Sequence, residues 1–400
     1  MNLNPSTIQN LLTLRYDPLQ KNSLKKLNWK DFQINSSLNN DLIETSIENY
    51  LKHKFNSNDS EKISIALSGG IDSSLMLAML KKIFPEKKIK AFSVKFANSL
   101  DESLIAEKIA HKFDVDHEII FLENYLQDLP NAISMVGLPF WDLHWFHVAK
   151  KVQNYSKYIV SGDGGDEIFA GYTFRYEKYL SLVNHNTLPL ERVKAYLSCH
   201  ERDWVPDQEK LFAKNSNFDW ENIYKLLLPY FDNTLPLLEQ VFLADYNGKL
   251  LYNFSIVSKS INKFYNLTSV TPLLNHELIS YGVKLPVNQK FDNKNNIGKI
   301  PLRQLVKKFD LDSFMSDQKM GFSVSTKNLW NSYGKRICKD FLLDSRLVKD
   351  KWINEEWILK YINNENLDVR YVNKFLGLLA FEIWYRIFIT TEMDKNSRLE

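Results

Sequence analysis

The hydrophobic pattern changes character along the chain. Lys62 to Leu67 is a short apolar run, and two glycines break it at Gly69-Gly70. From Asp72 to Ile83 the apolar positions Leu75, Leu77, Leu80 and Ile83 follow a helical period. Ile89 to Phe96 reads as a second strand, Glu102 to Phe113 as a helix and His117 to Phe121 as a third strand. Leu143 to Gln153 follows as a helix and Lys157 to Val160 as a fourth strand. A helix is also predicted near Asn40 to Lys54. Strands alternating with helices predict an α/β fold, a parallel sheet with helices on both faces. Ligands of such sheets bind at the carboxyl ends of the strands. Beyond about residue 180 long amphipathic helical patterns dominate. The pattern predicts a leading segment over 1–55, an α/β domain over 56–185 and a mostly helical domain over 186–400. Within the last, about 295–325 is expected to return to the ligand site.

Composition adds mainly exclusions. The 400 residues are 44% hydrophobic and 25% charged, with a net charge of +3. The lysines are interleaved with acids, so no basic patch points to nucleic acid. Phe375 to Ile389 is the most apolar late stretch. Gly377, Glu382 and Arg386 interrupt it, and it is too short for the ~20 apolar residues of a membrane span. It predicts a buried core helix and no membrane partner. The two cysteines, Cys199 and Cys338, form no paired motif. With no basic-then-apolar leader at the N-terminus, a reducing, cytoplasmic setting is expected.

Two glycine loops carry the candidate chemistry. The first is Ser68-Gly69-Gly70-Ile71-Asp72-Ser73-Ser74, between a strand and a helix. Its glycines allow a tight turn that points N–H groups at an anion, and the helix N-terminus adds positive potential. The serines offer hydroxyl donors. Asp72 would repel a phosphate unless a divalent cation lies between them, and magnesium takes one or two carboxylates plus phosphate oxygens. There is no GxxxxGK[ST] pattern, so the loop is suited to holding pyrophosphate as a leaving group. A plain turn with Asp72 or Ser73 as helix cap is the bland alternative. The second loop is Ser161-Gly162-Asp163-Gly164-Gly165-Asp166-Glu167, at the end of the fourth strand. Asp166 is a candidate second magnesium ligand and Asp163 a candidate general base toward an incoming amine. An acidic surface turn is its bland alternative. Asp142, His144 and His147 are read as a helix cap and helix-face histidines, ahead of a metal cluster.

Together the two loops resemble the asparagine synthetase family, whose pattern is a Ser-Gly-Gly-x-Asp-Ser loop followed by Ser-Gly-(Glu/Asp)-Gly-x-Asp-Glu. Supporting likenesses are Thr13-Leu14-Arg15-Tyr16-Asp17-Pro18, similar to the family's interdomain linker, and the strand segments Ser93 to Phe96 and His117-Glu118. Lys299-Ile300-Pro301-Leu302-Arg303 is similar to its Lys-x-x-Leu-Arg element and Lys319-Met320-Gly321-Phe322 to its Lys-x-Gly-Phe element. Val372 to Ile389 is similar to its closing helix. The resemblance implies an adenine nucleotide alpha hydrolase-like sheet, with ATP and Mg2+ as cofactors. It implies that Ser68, Gly69, Gly70, Ser73 and Lys319 bind ATP or pyrophosphate, and that Ala66, Val94, Ser161 and Gly162 line the adenosine site. Asp72 and Asp166 would hold the metal, and Asp163 and Lys299 would be catalytic. The implied reaction is an AMP- and pyrophosphate-forming ligation through an acyl-adenylate, joining a small carboxylate, aspartate in the family, to ammonia.

The family's glutaminase half begins with a cysteine after the initiator Met, and here residue 2 is Asn. Free ammonia, or ammonia from a separate glutaminase subunit, is therefore expected. The helical half departs from the family. Its Leu-Glu-x-Arg-x-Pro-Phe-Leu-Asp stretch corresponds to Leu267 to Asn275, its Asp-Arg pair to Lys259-Ser260 and its Glu-Pro to Leu138-Pro139. The arginine ahead of Lys-x-Gly-Phe corresponds to Asp317. These losses favour, as an alternative, a specialised ligase of the β-lactam-forming or peptide-cyclising type. A non-catalytic ATP-binding partner protein is a further alternative, but it predicts lost magnesium acids, and Asp72 and Asp166 are both present. A tRNA-modifying enzyme shares the first loop but lacks the second.

Overall fold

A computed structural model describes residues 4–22, 24–33, 37, 39–55, 62–96, 103–315 and 325–400. Its centre is a parallel sheet of five strands in the order β3-β2-β1-β4-β5. The strands are β1 (Ile63–Ala66), β2 (Ile89–Phe96), β3 (Asp116–Leu122), β4 (Tyr158–Val160) and β5 (Thr268–Val270). β1 therefore lies between β2 and β4, with Ile63 in register with Ile89 on one side and Tyr158 on the other. The order reverses at β1, and such a reversal opens a crevice at the carboxyl ends of the strands.

Alternate strand residues enter two different cores, as the two-residue period of a strand requires. Ile63, Ile65, Ala91 and Val160 join one core, with the helices Ile71–Ile83 and Ser103–Lys112. Ala66, Phe92, Phe96 and Ile159 join the other, with the helices Leu129–Val136 and His144–Val152. Both faces are thus covered, which is why β1 is buried throughout rather than alternating inside and outside.

The predicted strands, and the predicted helices up to residue 153, appear within a residue or two of their expected bounds, while the C-terminal helix begins at Val369, six residues before the expected Phe375. Elements not anticipated include the helix Leu129–Val136, a helix near the N-terminus and a fifth strand. Pro5–Leu14 is a helix, with Asn4 Oδ1 accepting from the Ser6 N–H and proline at its first position. β5 is a strand contributed by the otherwise helical half. Its residues pair with β4, Ser269 opposite Ile159, and extend the sheet by one edge. The region from 186 on is otherwise helical, ending in the helix Val369–Phe388.

That last helix holds Glu382 fully buried, which the apolar run around it would forbid without partners. Glu382 accepts hydrogen bonds from the Ser345 hydroxyl (2.7 Å), the backbone N–H groups of Arg346 (2.8 Å) and Leu347 (3.1 Å), and Arg386 Nε (2.6 Å). Every acceptor site on the carboxylate thus has a donor in reach. Among the described residues no helix is long and apolar enough to cross a membrane.

Candidate active site

β1 and β4 are neighbours, so the two glycine loops leave the sheet side by side. After β1 the chain turns at Gly69, whose φ of +74° suits glycine. A side chain there would also strike Ile105, with the Cβ 2.8 Å from its Cγ2. Gly70 then opens the helix Ile71–Ile83 and has no side chain to cap it. The first-turn N–H groups are left for an anion, where the helix dipole favours one. The loop is held by its own serines. Ser73 donates to the Gly70 carbonyl at 3.2 Å and accepts from the Ser68 N–H at 3.2 Å, and the two hydroxyls lie 3.1 Å apart.

The second loop packs directly on the first. A Cβ on Gly162 would lie 2.6 Å from Asp72 Cβ, and one on Gly165 would lie 2.5 Å from Asp72 Cγ. These two glycines are therefore required by close approach rather than by turn geometry alone. The loop's other glycine, Gly164, has φ +92° and faces Leu274. Asp166 then sits on the short helix Gly165–Ile168.

A third segment completes the cluster. Lys299 caps the helix Ile300–Lys308 in a left-handed conformation, φ +57° and ψ +33°. Its N–H donates to the Phe169 carbonyl at 2.9 Å. Its ammonium lies 2.5 Å from Asp72 Oδ2 and 2.8 Å from Asp166 Oδ1. Burial works against the charge on Lys299, but Asp166 and Asp72 outweigh it and hold its pKa well above the ordinary lysine value. One buried cation thus bridges carboxylates from both loops. Two carboxylates converging on a single cation are a donor set suited to magnesium with phosphate oxygens.

Asp163 stands beside this cluster. Burial pushes its pKa up, partly offset by a hydrogen bond from the Ser161 hydroxyl (2.9 Å) and by the charge of His144. A buried carboxyl with a raised pKa is suited to accepting a proton. His144 in turn pairs with Asp142, Nδ1 to Oδ1 at 3.0 Å. Asp142 also accepts from the Tyr125 hydroxyl at 3.3 Å and lies 3.8 Å from Arg15 Nη2. Burial raises the Asp142 pKa, yet His144 and Arg15 outweigh it and hold it well below the usual carboxylate range. His147 is buried, 3.2 Å from the Tyr125 carbonyl, and burial drops its pKa to about 4. No cluster of three or more metal-ligating side chains occurs among the described residues.

Ser68, Gly69, Gly70, Ser73 and Asp72 thus form one loop, with Ser161, Gly162 and Asp166 packed on it. Lys299 joins them from a segment far away in sequence. Ala66 ends β1 and is buried; Val94 lies on β2, half-buried against the second core. Lys319 and Asp317 lie outside the described residues. Sequence reasoning gave no role to Ser93, whose hydroxyl donates to the Leu67 carbonyl at 2.5 Å and meets His117 Nε2 at 2.8 Å. This bridge ties the end of β1 to the middle of β2 and the start of β3. It also assigned nothing to Arg175, which stacks 4.2 Å above the Tyr172 ring while Tyr172 donates to Glu167 at 2.6 Å.

The stretch that departs from the family lies against this site. Thr268–Val270 is β5, and Pro272–Leu274 forms the turn whose Leu274 meets Gly164. Asn275 caps the next helix by accepting from the Leu278 N–H at 2.9 Å.

A family model described as asparagine synthase matches residues 56–386. The glutamine-hydrolyzing asparagine synthetase 1 of Bacillus subtilis (strain 168) is 24% identical over 360 residues, covering 81% of this chain and 56% of that protein. This chain therefore spans little more than half of that relative's length. The amidase chyE of Penicillium rubens is 23% identical over 337 residues, 67% of this chain and 50% of that protein. Among solved structures, NMN synthetase from Francisella tularensis aligns with a TM-score of 0.27 at 14% identity, over 57% of this chain and 93% of that one. The matched span runs from the approach to β1 through most of the C-terminal helix and contains both loops and Lys299, so the chain belongs to the asparagine synthase family.

Proposed function

We propose that this chain is an ATP-dependent carbon–nitrogen ligase that activates a small carboxylate as an acyl-adenylate and passes it to an amine. The observation that carries the reading is the Lys299 ammonium gripped by Asp72 and Asp166 from two loops on neighbouring parallel strands. The residues fit Mg2+ and ATP: the acids converge on one cation, and an uncapped helix N-terminus lies beside them. Asp72 and Asp166 would hold the magnesium ion, which supplies charge neutralisation for the polyphosphate.

The remaining roles follow from chemistry. The substrate carboxylate oxygen bonds to the α-phosphorus of ATP, and the bond to the β-phosphate oxygen breaks. Ser68, Ser73 and the backbone of Gly69 and Gly70 receive the pyrophosphate that leaves. Lys299 stabilises charge on the phosphates as that bond breaks. Ala66, Val94, Ser161 and Gly162 line the adenosine, and Lys319 contacts ATP. The amine then attacks the acyl carbon, Asp163 takes its proton, and AMP departs. Ammonia, free or from a separate glutaminase subunit, is the simplest amine. Two buried free cysteines suit a cytoplasmic setting.

A second reading, a specialised ligase with another acid or amine, is favoured by one observation. The segment that departs from the family forms β5 and the turn against Gly164, where it faces the second loop. A screen of carboxylic acids with ATP, Mg2+ and ammonia or amines tests both, reading pyrophosphate and AMP. Stoichiometric AMP, pyrophosphate and amide are expected with one acid class. Release of ADP and phosphate, or none with any acid, would count against ligation.

A further inference from the structure

A cleft apart from the paired loops opens between the helix Pro5–Leu14, the turn at Pro139 to Trp141 and the C-terminal helix. Phe140, Trp141 and Phe381 give it an apolar wall, and Arg15, Arg202 and Lys374 a basic one. Its one acid, Asp203, is engaged by Lys249 and lies 3.9 Å from Arg15 Nη1. Arg15 is held in place. Its carbonyl accepts from Asn253 at 2.6 Å and its guanidinium lies 4.9 Å above the Trp141 ring.

Two features on the C-terminal helix have no packing reason. Asn373 is only 8% exposed, faces the cleft and makes no side-chain hydrogen bond among the described residues. Its amide atoms are reached only through the cleft, so a ligand there would find an amide donor and acceptor free of protein partners. One turn on, Gly377 interrupts a 20-residue helix, and a Cβ there would meet nothing within 4 Å. Glycine inside a helix costs about 0.5–1 kcal/mol relative to alanine. Close packing usually explains such a residue, and here there is open space instead. Asn373, Gly377 and Phe381 recur every fourth residue and share one helix face. Gly377 therefore keeps the cleft open beside the Asn373 amide.

The charge balance selects the ligand. Three basic side chains and an amide donor face aromatic carbon, and the acid is already neutralised. Lys374 donates to the Asp203 carbonyl at 2.8 Å and to the Leu12 carbonyl, and burial drops its pKa to about 7, so a nearby anion would favour its charged form. The cleft also couples to the candidate base, because Arg15 meets Asp142, Asp142 meets His144, and the charge of His144 acts on Asp163. We propose that this cleft binds a small carboxylate with an apolar body, through Arg15, Arg202 and Asn373 against Trp141 and Phe381, and that the ligand is a part of the substrate remote from the reacting bond. The second half of the proposal rests on the ligase reading; the first does not.

Calorimetric titration of the whole chain without nucleotide tests the binding, using 3-phenylpropionate and its neutral isostere 3-phenylpropionamide. The carboxylate should bind about tenfold tighter than the amide, a difference one well-placed charged contact supplies. Gly377→Leu fills the cleft without removing a polar group or a helix former. It should cut carboxylate affinity by about tenfold or more while the melting temperature holds or rises. Arg202→Ala, at an exposed position, should also weaken it. Failure of the carboxylate to bind at millimolar concentration, equal binding of the amide, or unchanged affinity in Gly377→Leu would overturn the site. ATP titrated into the same variants separates the two readings. ATP binding that survives without carboxylate binding removes the cleft alone, and the reverse removes the ligase reading alone. Acids turned over in the pyrophosphate screen should show a raised KM in Gly377→Leu, and an unchanged KM would remove the substrate role.

Discussion

The contact between the two glycine loops has no slack at Gly162. A methyl group there would lie 2.6 Å from Asp72 Cβ, 2.8 Å from the Asp72 carbonyl carbon and 2.9 Å from Ser73 N. Two of these atoms are backbone in the first turn of the helix Ile71–Ile83, so no rotamer change relieves the clash. Carbon atoms in ordinary contact sit ~3.5–4.0 Å apart, so Gly162→Ala must part the loops by roughly 1 Å. Overpacking of this size costs about 1–3 kcal/mol in stability. The reaction should suffer more, because a misplacement of about 1 Å in a reacting constellation costs about 100-fold in rate. ATP–pyrophosphate exchange, run with the acid the screen identifies, should fall about 100-fold while the melting temperature drops only a few degrees. Gly137→Ala is the control. Gly137 has φ +76° with nothing within 4 Å of its added Cβ, so its replacement loses about 1–2 kcal/mol to backbone strain and leaves exchange intact. Exchange by Gly162→Ala within about threefold of the unmodified chain, under 1 kcal/mol of barrier, would refute the claim that this close approach sets the site.

Three further outcomes follow from the same geometry. Burial raises the Asp163 pKa, so the folded chain keeps that proton to higher pH than the unfolded one; stability falls as pH rises from the ordinary carboxylate value through the raised one, and the loss persists above it. Asp163→Asn should therefore raise the urea midpoint at neutral pH while slowing amide formation about 100-fold or more, and an unchanged or lower midpoint would contradict the burial argument. Lys299→Met should slow pyrophosphate formation by about 100-fold and tighten Mn2+ binding to the nucleotide-free chain, because the ammonium no longer competes for Asp72 and Asp166. Electron paramagnetic resonance titration reads the Mn2+ affinity, and no change would argue against a shared cation site. Glu382→Ala strands four donors and should cost about 3–5 kcal/mol by chemical denaturation, far more than a surface Glu→Ala.

What the sequence shows and what it conceals divide by distance along the chain. β1 to β4 and the helices Ile71–Ile83, Ser103–Lys112 and His144–Val152 are legible because each signal, an apolar run or a helical period, lies within one window. β5 is not, because three residues carry too little pattern. Thr268–Val270 becomes a strand only because β4 offers an open edge. The helix Pro5–Leu14 does carry a local signal, Asn4 as cap and Pro5 at its first position, although its apolar face is short. Each glycine loop is readable alone, yet local pattern does not say that β4 lies beside β1, and that adjacency is what brings Asp166 to Asp72. Lys299 is further removed. No periodicity marks it, and only the family resemblance pointed to it. Its place depends on a left-handed turn that packs Gly298 against the Ala170 carbonyl.

The Asp142–His144 pair shows where a local reading falls short. The local pattern suggests a helix cap with ordinary helix-face histidines. His144 does begin the helix, but its N-cap is Leu143 with no capping side chain, and Asp142 pairs with His144 and Arg15 instead. The reading stopped at the segment itself, whereas the charge of His144 acts on Asp163, across the gap between β4 and the helix. The C-terminal helix repeats the lesson. Phe375 to Ile389 was read as core, and most of that side is core. The polar and small residues along it separate into two kinds once neighbours are known. Glu382 is surrounded by donors and serves the fold. Asn373 makes no side-chain hydrogen bond among the described residues and lines a cleft, and Gly377 borders open space. Both kinds look alike in the sequence, as interruptions of an apolar run. Only the surroundings tell an interruption that stabilises the helix from one that reserves room beside it.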